Sequence, residues 1–301
     1  MKVDLVNYIP HFVYLGTLGI TVGSMYLWLV MLKRRNKRPP FTKKFLRSPG
    51  ESLDQQLTDS QLHFMLYMMM IMVLPLLSFS TYSWNLLKNG KSSEIIFISL
   101  GVIGAGYFLY KMIDQVIKIN RLRLGLEGER AVGEELNQLM LQGYRVFHDI
   151  PKELTGNIDH VVVGKNGVFA IETKAISKPE LGKGDEAIKI KYDGKQLTFP
   201  NGLAIRKPLE QAETHAKWLK KWLSKSLAQT VYVTPVVTIP GWFIDRTAPS
   251  KNVLLLAGGE IINNFKKLRG SALGSQEIEM IAHQLDQRCR TVEAWTPEKK
   301  N

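Results

Sequence analysis

The chain has 301 residues, a formal net charge of +13 and a pI of about 9.6. That length accommodates two domains of ordinary size, and the basic balance suits an anionic partner, either nucleic acid or an anionic membrane face. A single cysteine, Cys289, excludes an internal disulfide and a multi-cysteine zinc site, and none of the six histidines pairs with another at metal-ligand spacing on one helix face.

The first third of the chain is apolar. Residues 12–32, FVYLGTLGITVGSMYLWLVML, carry no charge, and a helix of that length spans roughly 30 Å, the thickness of a bilayer core. The basic cluster follows this run instead of preceding it and no small-residue cleavage pattern appears, so it does not read as a signal peptide. A second uncharged run covers 62–84 and contains Pro75, which should kink a helix in a way that neighbouring helices tolerate. A third covers 94–112, apolar between Glu94 and Lys111; the lysine can snorkel, and the competing reading is an interfacial or core helix. The loop 33–47, KRRNKRPPFTKKFLR, holds eight basic residues and no acidic one, which places it in the cytoplasm by the positive-inside rule.

The expectation is therefore a multi-pass protein of a bacterial inner membrane with its N-terminus outside. Residues 1–112 form the anchor with three transmembrane helices, 113–124 a helical stalk, and 125–301 a cytoplasmic domain. Part of the excess charge then serves anionic lipid headgroups. Gly19-x-x-x-Gly23 offers a helix-packing face through which a homo-oligomer can form.

Beyond residue 125 the pattern predicts a helix (126–142), strands (145–149, 157–163, 168–175), a loop-rich stretch, a helix (206–227), strands (231–238, 252–256) and two helices (259–267, 275–289). Interleaved strands and helices make this an α/β domain, a mixed sheet flanked by helices. The stretch 182–196, GKGDEAIKIKYDGKQ, reads as a hairpin at the rim of a cleft.

The strand pair 157–175, NIDHVVVGKNGVFAIETKA, carries the chemistry. Both faces are apolar except at Asp159, Glu172 and Lys174, with Asn166-Gly167 in the turn. Alternation brings Asp159 and Glu172 together at the open end of the hairpin, with Lys174 two residues on. Two readings compete. In one, Asp159 simply pairs with Lys174 on a solvated face. In the other, the two carboxylates hold a hard divalent cation, Mg²⁺ or Mn²⁺, and Lys174 orients a water or offsets charge on a phosphoryl group. Ionisable groups in a strand apolar on both faces are costly unless paired or functional. In the preceding helix, Glu129 falls on the apolar stripe of Val132, Leu136, Leu139 and Met140, which favours a role at the sheet over simple complementation of the helix dipole.

GLEGERAVGEEL, NIDHVVVGKNGVFAIETKA and KPLEQAETHAKWLKKWL together resemble the nuclease-related domain (NERD) family of the PD-(D/E)xK nuclease superfamily, over roughly residues 122–240. Gly125-x-x-Gly128-Glu129, Asn157-Ile158-Asp159-His160 and Glu172-x-Lys174 carry the resemblance. It implies a restriction-endonuclease-like core, a four-stranded mixed sheet flanked by helices. It also implies that Glu129, Asp159, Glu172, Lys174 and Gln211 form the catalytic set, and that Asp159, Glu172 and Glu129 hold the metal. Ile158 stands where the superfamily's proline would precede the aspartate.

His160 faces away from Asp159 by alternation and reads as structural. His215, one turn beyond Gln211, lines the cleft or contacts phosphate. The helix 206–227 interleaves Lys207, Lys217 and Lys221 with Trp218 and Trp222. This fits nucleic-acid binding, an amphipathic helix whose tryptophans pack on the core, or a face on the inner leaflet. The leading function is a membrane-anchored, metal-dependent nuclease acting on DNA, or else RNA, at the cytoplasmic face. The alternative is a non-enzymatic membrane scaffold that binds nucleic acid or a partner protein. A transport accessory is disfavoured because the apolar runs lack the ionisable residues of a transport path.

Overall fold

The structure, a computed structural model, describes residues 16, 19–20, 23–24, 44–89, 94–152, 156–178, 188–249, 252–257, 261–265 and 267–292. The chain divides into two compact units, one of Met1–Lys44, Phe64–Asp114 and Glu293–Asn301, the other of Phe45–His63 and Gln115–Val292.

Two long helices, α1 (Glu51–Asn89) and α2 (Glu94–Asn137), supply the described part of the first unit and continue into the second. Pro75 lies inside α1 without ending it. Within the first unit the helices pack through small residues: a Cβ on Gly101 would stand 3.1 Å from Ser78 Oγ, and one on Gly104 would stand 3.0 Å from Leu74 Cδ1. Among the described residues one helix, Glu51–Trp84, is long and apolar enough to cross a membrane, and none of its most apolar window is buried. The three expected spans are thus not all visible, since 12–32 lies almost wholly outside the described residues. The expected span 94–112, stalk 113–124 and helix from 126 prove to be one unbroken helix, α2. Its glycines do not interrupt it because neighbours need the room: a Cβ on Gly128 would meet Ala175 Cβ at 2.5 Å, and one on Gly133 would meet Pro49 Cγ at 2.5 Å.

In the second unit the strands are β1 (Phe45–Leu46), β2 (Arg145–Pro151), β3 (Asn157–Gly164), β4 (Gly167–Thr173), β5 (Lys189–Tyr192), β6 (Leu197–Thr198), β7 (Ala204–Ile205), β8 (Val233–Ile239), β9 (Phe243–Arg246), β10 (Leu254–Ala257) and β11 (Arg290–Val292). The further helices are α3 (Lys207–Leu227), α4 (Ile261–Phe265) and α5 (Ser275–Cys289). The main sheet has five strands in the order β10-β8-β4-β3-β2, one more than the family resemblance implies. The pairs β2/β3 and β3/β4 are antiparallel, while β4/β8 and β8/β10 are parallel, so the sheet is mixed.

Both faces of this sheet are covered, which explains the near-continuous apolar runs of β3 and β4. Val161, Val163, Val168 and Ala170 pack with Ala216, Leu219 and Leu223 of α3 and with Ile281 and Leu285 of α5. On the other face Val162, Phe169 and Ile171 pack with Val132 and Leu136 of α2 and with Ile261 and Phe265 of α4. Met140 leaves the expected stripe and is half exposed, because α2 tightens into a 3-10 turn at Gln138–Gln142.

A second sheet, β7-β6-β5-β9, grows from the expected rim hairpin; β5 and β6 pair antiparallel, while 179–187 lie outside the described residues. A third, β1 with β11, ties Phe45 to Val292. The hairpin turn between β3 and β4 places its positive φ, +130°, on Gly167 alone, while Asn166 anchors it by donating Nδ2–H to the Leu268 carbonyl at 3.1 Å.

Candidate active site

The register of β3 and β4 runs from Gly164↔Gly167 to His160↔Ile171, and one step further stand Asp159 and Glu172. On the other side of β3, Asp149 lies between the pairs His148↔His160 and Ile150↔Ile158, hence opposite Asp159. Three acids therefore form a row across three strands, as alternation predicts for Asp159 and Glu172.

Asp159 and Glu172 are buried, at 7% and 6% exposure, and they line a cavity of about 520 Å³. Its other walls are Lys152, Gly156 and Asn157 from the end of β2 and the start of β3, and Lys207, Glu210, Gln211, Thr214 and His215 from α3. The α3 residues recur at three- and four-residue steps, so the first two turns of that helix present one face to the carboxylates. Asp159 Oδ2 accepts the Thr173 amide at 2.7 Å. His215 Nδ1 lies 3.1 Å from Glu172 Oε2 but is not aligned to hydrogen-bond it, and both atoms are buried without a hydrogen-bond partner. Glu129 Oε2 is buried and unpartnered as well.

These acids hold their protons unusually tightly. Burial raises the Glu172 carboxyl to about 7, with Lys174, Lys152 and Lys207 pulling it back. Burial and the Glu172 charge raise Asp159 well above its ordinary value, against the Thr173 amide and Lys174. Glu129 is pushed to about 9 by burial and then by Asp159, Asp149 and Glu172. Burial, reinforced by Lys152, lowers His215 to about 4, so its imidazole is neutral at physiological pH. Lys152 is lowered by burial, while Glu172 and Asp159 favour its charge.

The expected site residues are only partly gathered. Asp159, Glu172, Gln211, Lys207 and His215 share the cavity. Lys174 is exposed and does not line it, though its charge acts on both acids; just past the end of β4, its amide still donates to the Thr238 carbonyl of β8 at 2.9 Å. Glu129 lies behind the cavity wall, within electrostatic reach of both acids. Lys217 and Lys221 sit on the outer face of α3, with Lys217 Nζ 3.7 Å from Glu213. Trp218 and Trp222 pack against the core with rings parallel and the Arg288 guanidinium 4.9 Å from each, so they do not offer free stacking faces. Among the described residues no group of three or more His, Cys, Asp or Glu side chains is placed to hold one metal ion. Glu129 reaches the site from α2, whereas Asp159 and Glu172 face α3.

His160 is structural. His148 Nε2–H donates to Asn137 Oδ1 at 3.0 Å, so His148 Nδ1 accepts from His160 Nδ1–H at 2.9 Å. Burial lowers His148 to about 4 and holds His160 well below its ordinary range, so both stay neutral.

Residues 124–240 match the model of the nuclease-related domain, NERD. This chain carries a nuclease-related domain. No curated protein and no solved structure matches it. The NERD segment runs from the last turns of α2 to the end of β8 and contains every cavity residue. Residues that sequence reasoning missed include Lys152, which lines the cavity, and Asp149, which is fully buried beside it. Only their spacing before Asp159 marked them, and the bent backbone of β2, with φ of +49° at Asp149, hides that relation from simple alternation.

Proposed function

We propose that the protein is a membrane-anchored, divalent-metal-dependent nuclease that hydrolyses phosphodiester bonds of DNA (or RNA) at the cytoplasmic face of a bacterial inner membrane. The observation that carries this is the buried Asp159–Glu172 pair, which faces a cavity otherwise walled by Lys152, Lys207, Gln211 and His215. Two adjacent carboxyls with raised proton affinity and an unpartnered oxygen suit a hard cation, because a bound ion would replace both protons. Asp159 and Glu172 would hold Mg²⁺ or Mn²⁺, with Glu129 supporting them from behind. Such an ion would supply an acidified water and charge neutralisation at phosphoryl oxygens.

The chain's own groups complete the chemistry. Lys152 and Lys207 present ammonium groups to a phosphodiester, and Lys174 holds positive potential over the acids. Gln211 can orient the attacking water through its amide. His215, neutral, can accept or donate one hydrogen bond at the cavity wall. Outside the cavity, Lys217 and Lys221 extend a basic track for the backbone.

Chain connectivity supports the topology. The chain leaves the NERD-containing unit at His63 and rejoins it at Gln115, and a pair of spans over that stretch would return it to the side it left. The exposed apolar faces of α1 and α2 over this stretch fit two spans, and the basic composition of the run 33–47 favours a cytoplasmic place for the chain before them. A crossing at 12–32 would complete a multi-pass anchor and offer a site for homo-oligomers.

The test is to purify the full chain in detergent and incubate it with supercoiled plasmid, single-stranded DNA and RNA, with and without Mg²⁺ or Mn²⁺. Metal-dependent cleavage lost in Asp159→Ala and Glu172→Ala supports the proposal. Binding without cleavage in every condition would replace it with the scaffold function, which the exposed lysines of α3 favour.

A further inference from the structure

We infer that residues 45–52, which lie outside the NERD segment, form a clasp that completes the nuclease site, with Arg47 and Ser52 as positioning residues. The inference rests on the nuclease function proposed above.

The anchor point is Asp149. It is completely buried, and its backbone takes a left-handed conformation, φ +49°, that few non-glycine residues adopt without compensation. Its side chain supplies the compensation. Oδ2 accepts from Arg47 Nε at 2.6 Å and from both the amide and the hydroxyl of Ser52 at 2.9 Å, and Arg47 Nη2 completes an ion pair there. Oδ1 accepts from Asn157 Nδ2. Arg47 in turn reaches Ser52 Oγ at 2.7 Å and Thr291 Oγ1 at 2.9 Å. The Arg47 amide donates to the Cys289 carbonyl at 3.1 Å, and β1 pairs with β11. A short stretch of chain is thus tied by a buried charge network to residues about a hundred positions away in sequence, beside the contact of Pro49 with α2.

Two lines run from the clasp to the site. Asn157 lines the cavity and stands two residues before Asp159 on β3, so Asp149 sets one wall directly. Gly50, held between Arg47 and Ser52 with φ +74°, lies flat against α2: a Cβ there would come within 2.5 Å of Leu126 Cδ1 and 3.7 Å of Glu129 Oε2. The clasp therefore closes the space behind Glu129 and excludes water from it. Neither Arg47 nor Ser52 lines the cavity, so neither is catalytic.

The experiment uses the full chain in detergent and the variants Arg47→Ala, Arg47→Lys, Ser52→Ala and Ser52→Thr. Hydrogen exchange at residues 50–54, 126–130 and 157–159 is read alongside kcat and KM on the DNA substrate. Arg47→Ala and Ser52→Ala should raise exchange at all three segments and lower kcat by about ten- to a hundred-fold with KM nearly unchanged, the effect of small misplacement at a site. Ser52→Thr, which keeps the hydroxyl, should restore both readouts. Arg47→Lys should restore neither fully, because an ammonium cannot reproduce the guanidinium fork. If Arg47→Ala does not fold, Ser52→Ala, which removes only one donor, decides the matter. Unchanged exchange at 157–159 and 126–130 would overturn the clasp whether or not the chain cleaves DNA. Altered exchange with unchanged kcat in a chain that cleaves would overturn its positioning role. A wild-type chain that cleaves nothing would overturn the nuclease function instead, leaving the exchange data to decide the clasp.

Discussion

Asp149 and Asp159 face each other on β2 and β3, and both are buried, yet their surroundings are opposite. Asp149 is saturated by Arg47, Ser52 and Asn157. Asp159 receives one amide, and its neighbour Glu172 keeps an unpartnered oxygen. A buried carboxylate supplied with donors and a counter-charge is a structural joint. A buried pair short of donors and crowded by its own kind is an arrangement that folding alone would not favour, and it accords with the functional role proposed for it. Burial by itself does not distinguish the two; the count of donors does.

The sharpest way to break this contrast is to remove each acid and compare what is lost. Asp159→Ala or Glu172→Ala should lower turnover by about 10³-fold or more, the several kcal/mol that metal-assisted hydrolysis supplies, while leaving the melting temperature of the metal-free protein unchanged or higher. Asp149→Ala should do the reverse first, costing about 3–5 kcal/mol of stability because Arg47 is left buried without its partner; chemical denaturation measures it. Equal stability losses at both positions would erase the distinction.

A third expectation concerns pH. His148 is lowered to about 4 in the folded chain from an ordinary value of 6.5. A histidine depressed by burial contributes stability that is complete above 6.5 and lost as pH falls through 4. The loss is on the order of 3 kcal/mol, and thermal melts from pH 7 to 4 would show it. His148→Gln should flatten that profile, and an unaltered profile would contradict the neutral His148–His160 pair. The smallest expected effect is on the outer face of α3. Lys217→Ala should weaken DNA binding by about 1 kcal/mol or less and reduce the salt slope by about one, with kcat unchanged.

Much of this was legible from the order of residues, and the limits are physical. Alternation across two well-paired strands suffices to bring Asp159 to Glu172, because the register is held by a tight turn and by two buried faces. The helix carrying Gln211 and His215 follows from its 3.6-residue period, and the structure places both at the cavity. What alternation cannot reach is Asp149 with Arg47, whose contact spans 102 residues and depends on a left-handed backbone at a non-glycine position. Lys174 falls outside the cavity because β4 ends at Thr173. Of the second sheet only the rim hairpin was legible, since β6 and β7 have two residues each and β9 joins from far along the chain. The unbroken α2 reads in sequence as separate segments because its apolar run ends at Lys111, and a change of hydropathy along a helix does not end it.

The pairing of β1 with β11 sets an order of events in the making of the protein. Phe45 is synthesised long before Val292, and the excursion Phe64–Asp114 comes between. A ribosome must therefore deliver the apolar helices before the unit that contains the NERD segment can close, and must reach Thr291 before Arg47 can meet it. Long-range closure of this kind is slow relative to local folding. A nascent or truncated chain would carry the acidic pair without the clasp, so the site around Asp159 and Glu172 would reach its complete form only after the apolar helices have been made.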